Sequence, residues 1–263
     1  PYRFGNIVAT MIAITLTISG FHSHYNKKEV IYHVTVPKTS SVSQLKICLV
    51  SDLHLSSGTY MRQVRKLVKT VNDKHYDLVC FAGDVFDENT PDALMNRSLQ
   101  EFKNMKSTYG TYWISGNHEY YGKHTDFTVF EKYNIHFLKN TYETVDNTFN
   151  IVGFTDKTSR DHYDINQVIQ GMNTSLPTIT LDHNPERFDQ HTYFTDLQLS
   201  GHTHNGQIFP GNIILHYYYQ NSYGLSHYKN HYLLVSGGYG SWGFPFRLGT
   251  QCEYDTVYLT MRK

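Results

Sequence analysis

Apolar and polar residues alternate along the first half of the chain in blocks that predict strands and helices in succession. Short apolar runs at 45–51 and 78–82 are typical of buried strands. Between them, apolar residues recur at helical spacing over 61–71, and a second helix is predicted after Thr90-Pro91. A third strand is predicted at 110–115. This order of strand, helix and strand is typical of α/β units.

The second half of the chain predicts more strands than helices. The predicted strands lie at 149–154, 178–181, 197–199, 232–235 and 254–260. A helix near 165–172 and a short one after Pro185 interrupt them. The strand-rich order indicates a mixed sheet, so we expect two facing sheets with helices on the outside.

The N-terminal segment 4–21 carries no charged residue over 18 positions, which approaches the length of a membrane span. Three interpretations remain open: a membrane-anchor helix, which we favour, an export signal, and a buried element of a soluble protein. Arg3 precedes the segment and Lys27 and Lys28 follow it, which favours a cytoplasmic location for the rest of the chain. We therefore expect an anchor helix over 1–24, a strand and polar linker over 25–44, and one domain over 45–263.

Charge and cysteine content narrow the possible functions. The 23 basic and 23 acidic residues give a formal net charge of zero, so no basic excess points to nucleic acid, and no nucleic-acid partner is expected. Cys48, Cys80 and Cys252 form no CxxC motif and are typical of small buried residues. Histidine is abundant, with 16 residues, and neutral imidazole is the commonest metal ligand.

Five polar motifs each follow a predicted strand. They are Asp52-Leu53-His54, Gly83-Asp84-Val85-Phe86-Asp87, Gly116-Asn117-His118-Glu119, Asp182-His183-Asn184-Pro185 and Gly201-His202-Thr203-His204. In open α/β sheets, sites are built at the carboxyl ends of strands. Asp, His and Asn offer the oxygen and nitrogen donors that suit Mn, Fe, Zn or Mg. His202 and His204, on a loop that begins with glycine, can each bind a different ion. The five motifs together therefore favour a site for two metals.

The ordered set of motifs resembles the calcineurin-like metallophosphoesterase superfamily, whose pattern is D-x-H, G-D-x-x-D, G-N-H-E, a later histidine and G-H-x-H. The resemblance covers residues 45–263 and no block of the pattern is missing. The segment 238–243, with Arg247-Leu248-Gly249, is similar to a bacterial branch of phosphodiesterases whose members often carry N-terminal membrane segments. The implied fold is a four-layer α/β/β/α sandwich of two mixed sheets, here with an N-terminal apolar helix.

The resemblance also implies a role for each motif residue and a cofactor of two divalent ions, among which Mn is favoured over Fe, Zn and Mg. The implied ligands are Asp52, His54 and His204 for the first metal, Asn117, His183 and His202 for the second, and Asp84 as a bridge. A hydroxide between the metals is the implied nucleophile. His118 is expected to protonate the leaving group or to stabilise charge on the phosphate, Asp87 to orient His118, and Arg247 to contact the phosphate.

The expected function is therefore metal-dependent hydrolysis of a phosphodiester or pyrophosphate, with a lipid-linked or nucleotide-sugar substrate suggested by the apolar N-terminal segment. A broad phosphomonoesterase, a protein phosphatase and a nuclease are the alternatives on the same scaffold. Neutral charge disfavours a nuclease, and Glu88 stands after Asp87 where a protein phosphatase is expected to carry arginine. A non-catalytic scaffold is disfavoured because none of the seven ligand positions is substituted. The tyrosines at 217–219 either line a substrate groove, contact lipid headgroups or belong to a tyrosine-rich strand pair.

Overall fold

A computed structural model describes residues 2–56, 60–122 and 127–262. Pro1 of the predicted segment 1–24, and residues 57–59, 123–126 and Lys263 of the predicted domain 45–263, lie outside the described residues. The helices are α1 (Tyr2–Tyr25), α2 (Met61–Lys74), α3 (Asp92–Phe102), α4 (Asn117–Tyr121), α5 (Ile165–Val168), α6 (Phe188–His191) and α7 (Gly211–Tyr218). Short 3₁₀ helices cover Phe127–Tyr133, Pro185–Arg187 and His204–Gly206. Most of the predicted elements are therefore present near their predicted positions.

The first sheet is mixed and has six strands. Its strands are β1 (Lys28–Thr39), β2 (Gln44–Val50), β3 (Leu78–Ala82), β4 (Thr111–Ile114), β5 (Ile135–Phe137) and, from the end of the chain, β12 (Glu253–Arg262). Their order in the sheet is β1-β12-β2-β3-β4-β5. Only the pairing of β12 with β2 is antiparallel among the described pairs of this sheet.

The second sheet is also mixed and also has six strands. They are β6 (Thr141–Val145), β7 (Phe149–Gly153), β8 (Thr178–Leu181), β9 (Leu197–Ser200), β10 (Gly224–Tyr228) and β11 (His231–Val235). The order is β10-β11-β9-β8-β7-β6, with parallel pairs in the centre and antiparallel pairs at both edges. Parallel central strands bring their carboxyl ends to one edge of the sheet.

Two apolar layers hold the sheets and helices together. Alternate side chains of the first sheet face the second sheet, and this layer includes Ile47 and Cys80 opposite Ile151 and Leu199. The other face of the first sheet packs on α2 and α3, where Trp113 lies in a cluster of aromatic rings. Smaller clusters join the second sheet to the helices on its outer face. The four-layer α/β/β/α sandwich is therefore confirmed.

The strand predicted within 25–44 is longer than its apolar core. β1 continues through Pro37 and pairs in parallel with β12 at the edge of the first sheet, with a register shift between Val36 and Thr39. Proline is tolerated there because an edge strand has one side without a ladder partner. Residues 37–39 of the predicted polar linker are thus strand, and 40–43 connect β1 to β2.

The N-terminal helix α1 stands largely apart from the sandwich. By length and composition, the helical segment Arg3–Tyr25 could cross a membrane. The side chains at 3–19 are all exposed, whereas Gly20, His24 and their neighbours contact the segment 241–247. The exposed part of α1 is therefore not a core element of this domain.

Candidate active site

The five polar motifs follow strands from both sheets and converge on one place. β2, β3 and β4 supply the first three motifs, and β8 and β9 of the second sheet supply the other two. These strands all lie in the central, parallel parts of the sheets. The site therefore lies where the carboxyl edges of the two sheets meet, as the sequence predicts.

The first group of side chains consists of Asp52, His54 and His204, all buried. The Nε2 atoms of His54 and His204 are 2.9 Å apart. Oδ1 of Asp52 lies 3.4 Å from Nε2 of His204 and 4.0 Å from Nε2 of His54. Two nitrogens and one oxygen that converge at these distances can bind one cation.

The second group consists of Asp84, Asn117, His183 and His202. Oδ2 of Asp84 lies 3.0 Å from Nε2 of His183, and Nδ1 of His202 lies 2.9 Å from Oδ1 of Asn117. The carboxylate of Asp84 also groups with His54 and His118 within the 4.8 Å that a shared ion allows. Asp84 thus stands between the two groups, and the structure brings together all seven residues that the resemblance assigns as ligands.

Five of these seven residues have a backbone conformation that is uncommon for residues other than glycine. Their φ angles are 54° at Asp52, 49° at His54, 52° at Asp84, 74° at His202 and 52° at His204. Each such left-handed residue costs about 1–3 kcal/mol and persists where the surrounding structure fixes it. Strained turns of this kind concentrate at functional sites. Here they direct the five side chains toward the centre of the site.

Two motif glycines are required by close packing against the carboxylates. A Cβ atom at Gly116 would overlap Oδ1 of Asp84, and a Cβ atom at Gly201 would overlap Oδ2 of Asp52. Any larger residue would displace a carboxylate from its group. Glycine therefore precedes Asn117 and His202 for a steric reason.

Hydrogen bonds from the outside of the site fix the orientation of its histidines. Nδ1 of His183 lies 2.7 Å from the carbonyl oxygen of Ala82, which only accepts, so Nδ1 carries the proton. Its Nε2 is buried, has no hydrogen-bond partner among the described residues and faces the carboxylate of Asp84. A lone pair on Nε2 against a carboxylate is unfavourable unless a proton or a metal cation lies between them. The donor set therefore fits divalent metal ions.

The local charges have opposite effects on the histidines. Burial lowers the pKa of His183, but the charge of Asp84, whose Oδ2 lies 3.0 Å from Nε2, outweighs burial and holds that pKa well above the usual value. Burial lowers the pKa of His202, assisted by the charge of His183. Burial, His54 and Arg247 hold the pKa of His204 well below its usual range. His202 and His204 are therefore neutral near pH 7, the state in which imidazole binds metal.

Asp87 differs from its expected place. Its Oδ1 lies 2.6 Å from Nδ1 of His54 and 3.5 Å from Nδ1 of His118. The carboxylate nearest to His118 is that of Glu88, at 2.9 Å. Asp87 therefore orients His54 rather than His118, because its carboxylate accepts a hydrogen bond from the Nδ1–H group of His54 and leaves Nε2 free to bind a cation.

Arg247 also differs from its expected place, because its side chain is 0% exposed and cannot reach a phosphate in the cleft. Its Nη1 donates to the carbonyl oxygen of His204 at 2.9 Å, and its Nη2 lies 3.1 Å from Nδ1 of His204. Nη2 also donates to the carbonyl oxygen of Gly240 at 2.7 Å. The guanidinium therefore supports the loop that carries His204, and the expected phosphate contact is corrected to this positioning contact.

Glu119 is a further residue whose place the sequence did not predict. Its carboxylate is buried and accepts the backbone N–H groups of Asp84, Val85, Phe86 and Gly116 at 2.6–3.0 Å. This side chain thus ties the turn after β3 to the turn after β4. The only sequence signal was its place in G-N-H-E, which does not distinguish a ligand from a support.

A cleft of about 710 Å³ opens over the two groups. Asp84, Asn117, His118, His202 and His204 line its floor. Its walls are largely apolar and come from Tyr121, Ile208, Ile214, Leu215 and Trp242. The site is therefore open to a substrate with both a polar and an apolar part.

Comparison with known proteins agrees with this geometry. The family model described as calcineurin-like phosphoesterase matches residues 45–206. An uncharacterized metallophosphoesterase of Helicobacter pylori (strain ATCC 700392 / 26695) is 34% identical over 212 residues, which cover 78% of this chain and 56% of the relative. A transmembrane protein with metallophosphoesterase domain of Bos taurus is 29% identical, over 83% of this chain and 54% of the relative.

Among solved structures, TT1561 of Thermus thermophilus is similar in fold, with a TM-score of 0.50 and 11% sequence identity over 74% of this chain and 89% of that chain. This likeness concerns the fold alone. The chain spans a little over half the length of the two relatives named above.

We predict that Glu119→Gln destabilises the fold by about 2–3 kcal/mol, because an amide nitrogen would face backbone N–H groups that now donate to the carboxyl oxygens. Denaturant unfolding of the purified chain measures this. Glu101→Gln is the matched control, because Glu101 forms a partly exposed pair with Arg65 at 2.8 Å and its loss costs about 1 kcal/mol or less. Equal losses in the two variants would contradict a bracing role for Glu119.

We also predict that Asp87→Asn weakens metal binding about 10- to 100-fold, because His54 loses the carboxylate that orients it. Glu88→Gln, which changes the neighbouring carboxylate, leaves metal affinity within about two-fold. Metal titration of the metal-free variants measures both. A larger loss in Glu88→Gln than in Asp87→Asn would show that the pairing with His54 does not matter.

Proposed function

The chain belongs to the calcineurin-like phosphoesterase family of metal-dependent hydrolases, and we propose that it cleaves a phosphodiester or pyrophosphate. The observation that carries this proposal is that six residues with nitrogen or oxygen donors surround Asp84 at the base of an open cleft. Two groups of donors that share one carboxylate suit two divalent ions. Mn is the favoured metal, with Fe, Zn and Mg as the alternatives.

The proposed ligands follow the two groups. Asp52, His54 and His204 would hold one ion, Asn117, His183 and His202 the other, and Asp84 both. When bound, such a pair of ions supplies an activated water and neutralises charge on the phosphate. The protein holds His54 through Asp87, His183 through the carbonyl oxygen of Ala82, and the loop of His204 through Arg247.

His118 is proposed to act on the leaving group. Its side chain lines the cleft, and its backbone N–H donates to Oδ1 of Asp84 at 2.8 Å, which fixes the residue beside the ligands. Nδ1 lies 2.9 Å from Oε2 of Glu88, which accepts a hydrogen bond from the Nδ1–H group, so that Nε2 is the ring nitrogen available to a substrate. A histidine held in this way can donate a proton to the departing oxygen.

The lining of the cleft favours diesters over monoesters. None of the described residues that line it is Lys or Arg, and Arg247 is buried behind His204. A phosphomonoester carries up to two negative charges and needs more compensation than a diester with one. The same lining gives no support to a protein phosphatase or a nuclease, which are expected to bring arginines or basic tracks to the phosphate.

Membrane attachment through α1 and a lipid-linked or nucleotide-linked substrate are part of this proposal. α1 meets the length and apolarity of a span, and apolar residues such as Ile214, Leu215 and Trp242 line the cleft. Arg3 in the first turn of α1 and Lys27 and Lys28 after the helix favour the cytoplasmic side for the domain.

We predict that Asp84→Ala removes both bound metals and reduces hydrolysis of bis-nitrophenyl phosphate to background, because both groups share this carboxylate. Elemental analysis gives the metal content, and the released nitrophenol gives the activity. Asp73→Ala is the matched control, because Asp73 is an exposed partner of Lys69 on α2. Retention of two metals and full activity in Asp84→Ala would refute the assignment.

We predict that His118→Asn keeps its metal but slows hydrolysis of esters with alkyl leaving groups about 100-fold or more, and of nitrophenyl esters less than about 10-fold. Nitrophenolate departs without a proton, whereas an alkoxide needs one. Turnover of both substrate classes is compared in the variant and in His136→Asn, a histidine of β5 that pairs with Glu143 outside the cleft. Equal losses on both classes would argue against proton donation by His118.

A further inference from the structure

We propose that the apolar rim of the cleft is a second membrane contact, which docks on the bilayer at the level where α1 leaves it. The rim is contacted by the interfacial zone of a lipid bilayer. It consists of Ile208, Phe209, Ile213, Tyr217, Trp242 and Phe244. The proposal rests on the proposed membrane span of α1, and it does not depend on which ester the site hydrolyses.

The rim is exposed, and the chain segments that form it carry no charged residue. Tyr217 is 83% exposed, Trp242 is 60% exposed and Ile213 is 47% exposed, and α7 has no buried side chain. Residues 205–228 and 230–246 contain no Asp, Glu, Lys or Arg. An exposed apolar face of this extent without charged residues marks an interaction surface.

Direct contacts make the rim continuous with the end of α1. The ring of Phe21 lies 5.6 Å from that of Phe244 and 5.7 Å from that of Phe246, and Arg247 donates its backbone N–H to the carbonyl oxygen of Gly20 at 3.1 Å. The last turns of α1 are therefore fixed against the segment 242–247.

A second set of contacts extends this surface to α7. The side chain of Gln207 accepts the N–H of Trp242 at 2.9 Å and donates to its carbonyl oxygen at 3.0 Å. Phe209 donates its N–H to the carbonyl oxygen of Leu248 at 2.8 Å. The segment before α7 and the segment beside α1 thus form one surface.

The length of α1 indicates where the bilayer would lie. The helical rise between Arg3 and Phe21 gives about 27 Å, close to the hydrocarbon thickness of about 30 Å. If Arg3 lies at one boundary, Phe21 lies at the other, and so do the rings of Phe244 and Phe246 that it contacts. Tryptophan and tyrosine are the residues enriched at this depth. The continuity with α1 therefore favours lipid over a second protein as the occupant.

The rim also borders the catalytic groups. The ring of Trp242 lies 6.3 Å from that of His118, and Trp242 and Ile208 line the cleft. Docking of the rim would therefore place the mouth of the cleft at the level of the lipid headgroups.

The two tryptophans of the chain allow a direct test. Trp113 is buried in the core, whereas Trp242 belongs to the rim. The full chain is reconstituted in phosphatidylcholine vesicles with or without bromine atoms on the upper acyl chain, which quench nearby tryptophan. We expect roughly a two-fold loss of Trp242 emission in brominated vesicles, as befits a side chain at the interface. The Trp242→Phe variant, which retains Trp113, should show no bromine-dependent loss.

A matched pair of variants tests whether the rim causes the docking. Ile213→Glu with Tyr217→Glu places charge on the rim and should abolish the quenching of Trp242. Ile31→Glu with Tyr193→Glu places the same charge at exposed positions outside the rim and should leave the quenching of Trp242 unchanged. Equal emission of the wild type in both kinds of vesicle would overturn the proposal, and shielding of Trp242 from aqueous iodide in that case would point to a protein partner. Because the readout needs neither metal nor turnover, this failure is distinct from a lack of hydrolytic activity.

Discussion

The buried carboxylate of Asp84 is the constraint on which the candidate site depends. It lies between two groups of nitrogen and oxygen donors, in contact with His183 and beside His54, and a carboxylate out of water is tolerated only where charge or hydrogen bonds compensate it. The N–H of His118 provides one such bond. Without a cation, His183 has to carry a proton to balance the pair, and a metal ion can take the place of that proton. Metal binding at this site is therefore expected to release the proton that His183 shares with Asp84.

The shape of the surrounding turns follows from this constraint. Side chains from two sheets can reach one point only if the chain turns sharply at the end of each strand, and the left-handed residues at Asp52, Asp84 and His204 make those turns. Such turns are strained, so they require support from outside the site. Glu119 supplies it for the turns after β3 and β4, and Arg247 for the loop of His204. The support comes from buried ionisable side chains, which links the stability of the fold to the geometry of the donor groups.

The fold and the convergence of the five motifs could be predicted from the sequence because both depend on order along the chain. Apolar runs mark the strands, and each motif follows a strand at the edge where parallel strands end. The partners of Asp87 and Arg247 could not be predicted in this way. Asp87 and Glu88 are neighbours in one turn, and only the conformation of that turn decides which carboxylate faces His54 and which faces His118. The burial of Arg247 depends on contacts with α1 and with the loop of His204, which are distant in sequence.

The charge distribution of the cleft connects its chemistry with its surroundings. The described lining offers carboxylates and imidazoles on the floor, no Lys or Arg, and apolar walls. A phosphate entering such a cleft meets negative charge from Asp84 unless metal ions are bound, so the ions have to supply the attraction as well as the chemistry. The walls then contribute affinity only for the apolar part of a substrate, since they offer a phosphate few partners. An anionic, wholly polar ester would gain little from them, whereas an ester with an apolar substituent would bind through both parts at once.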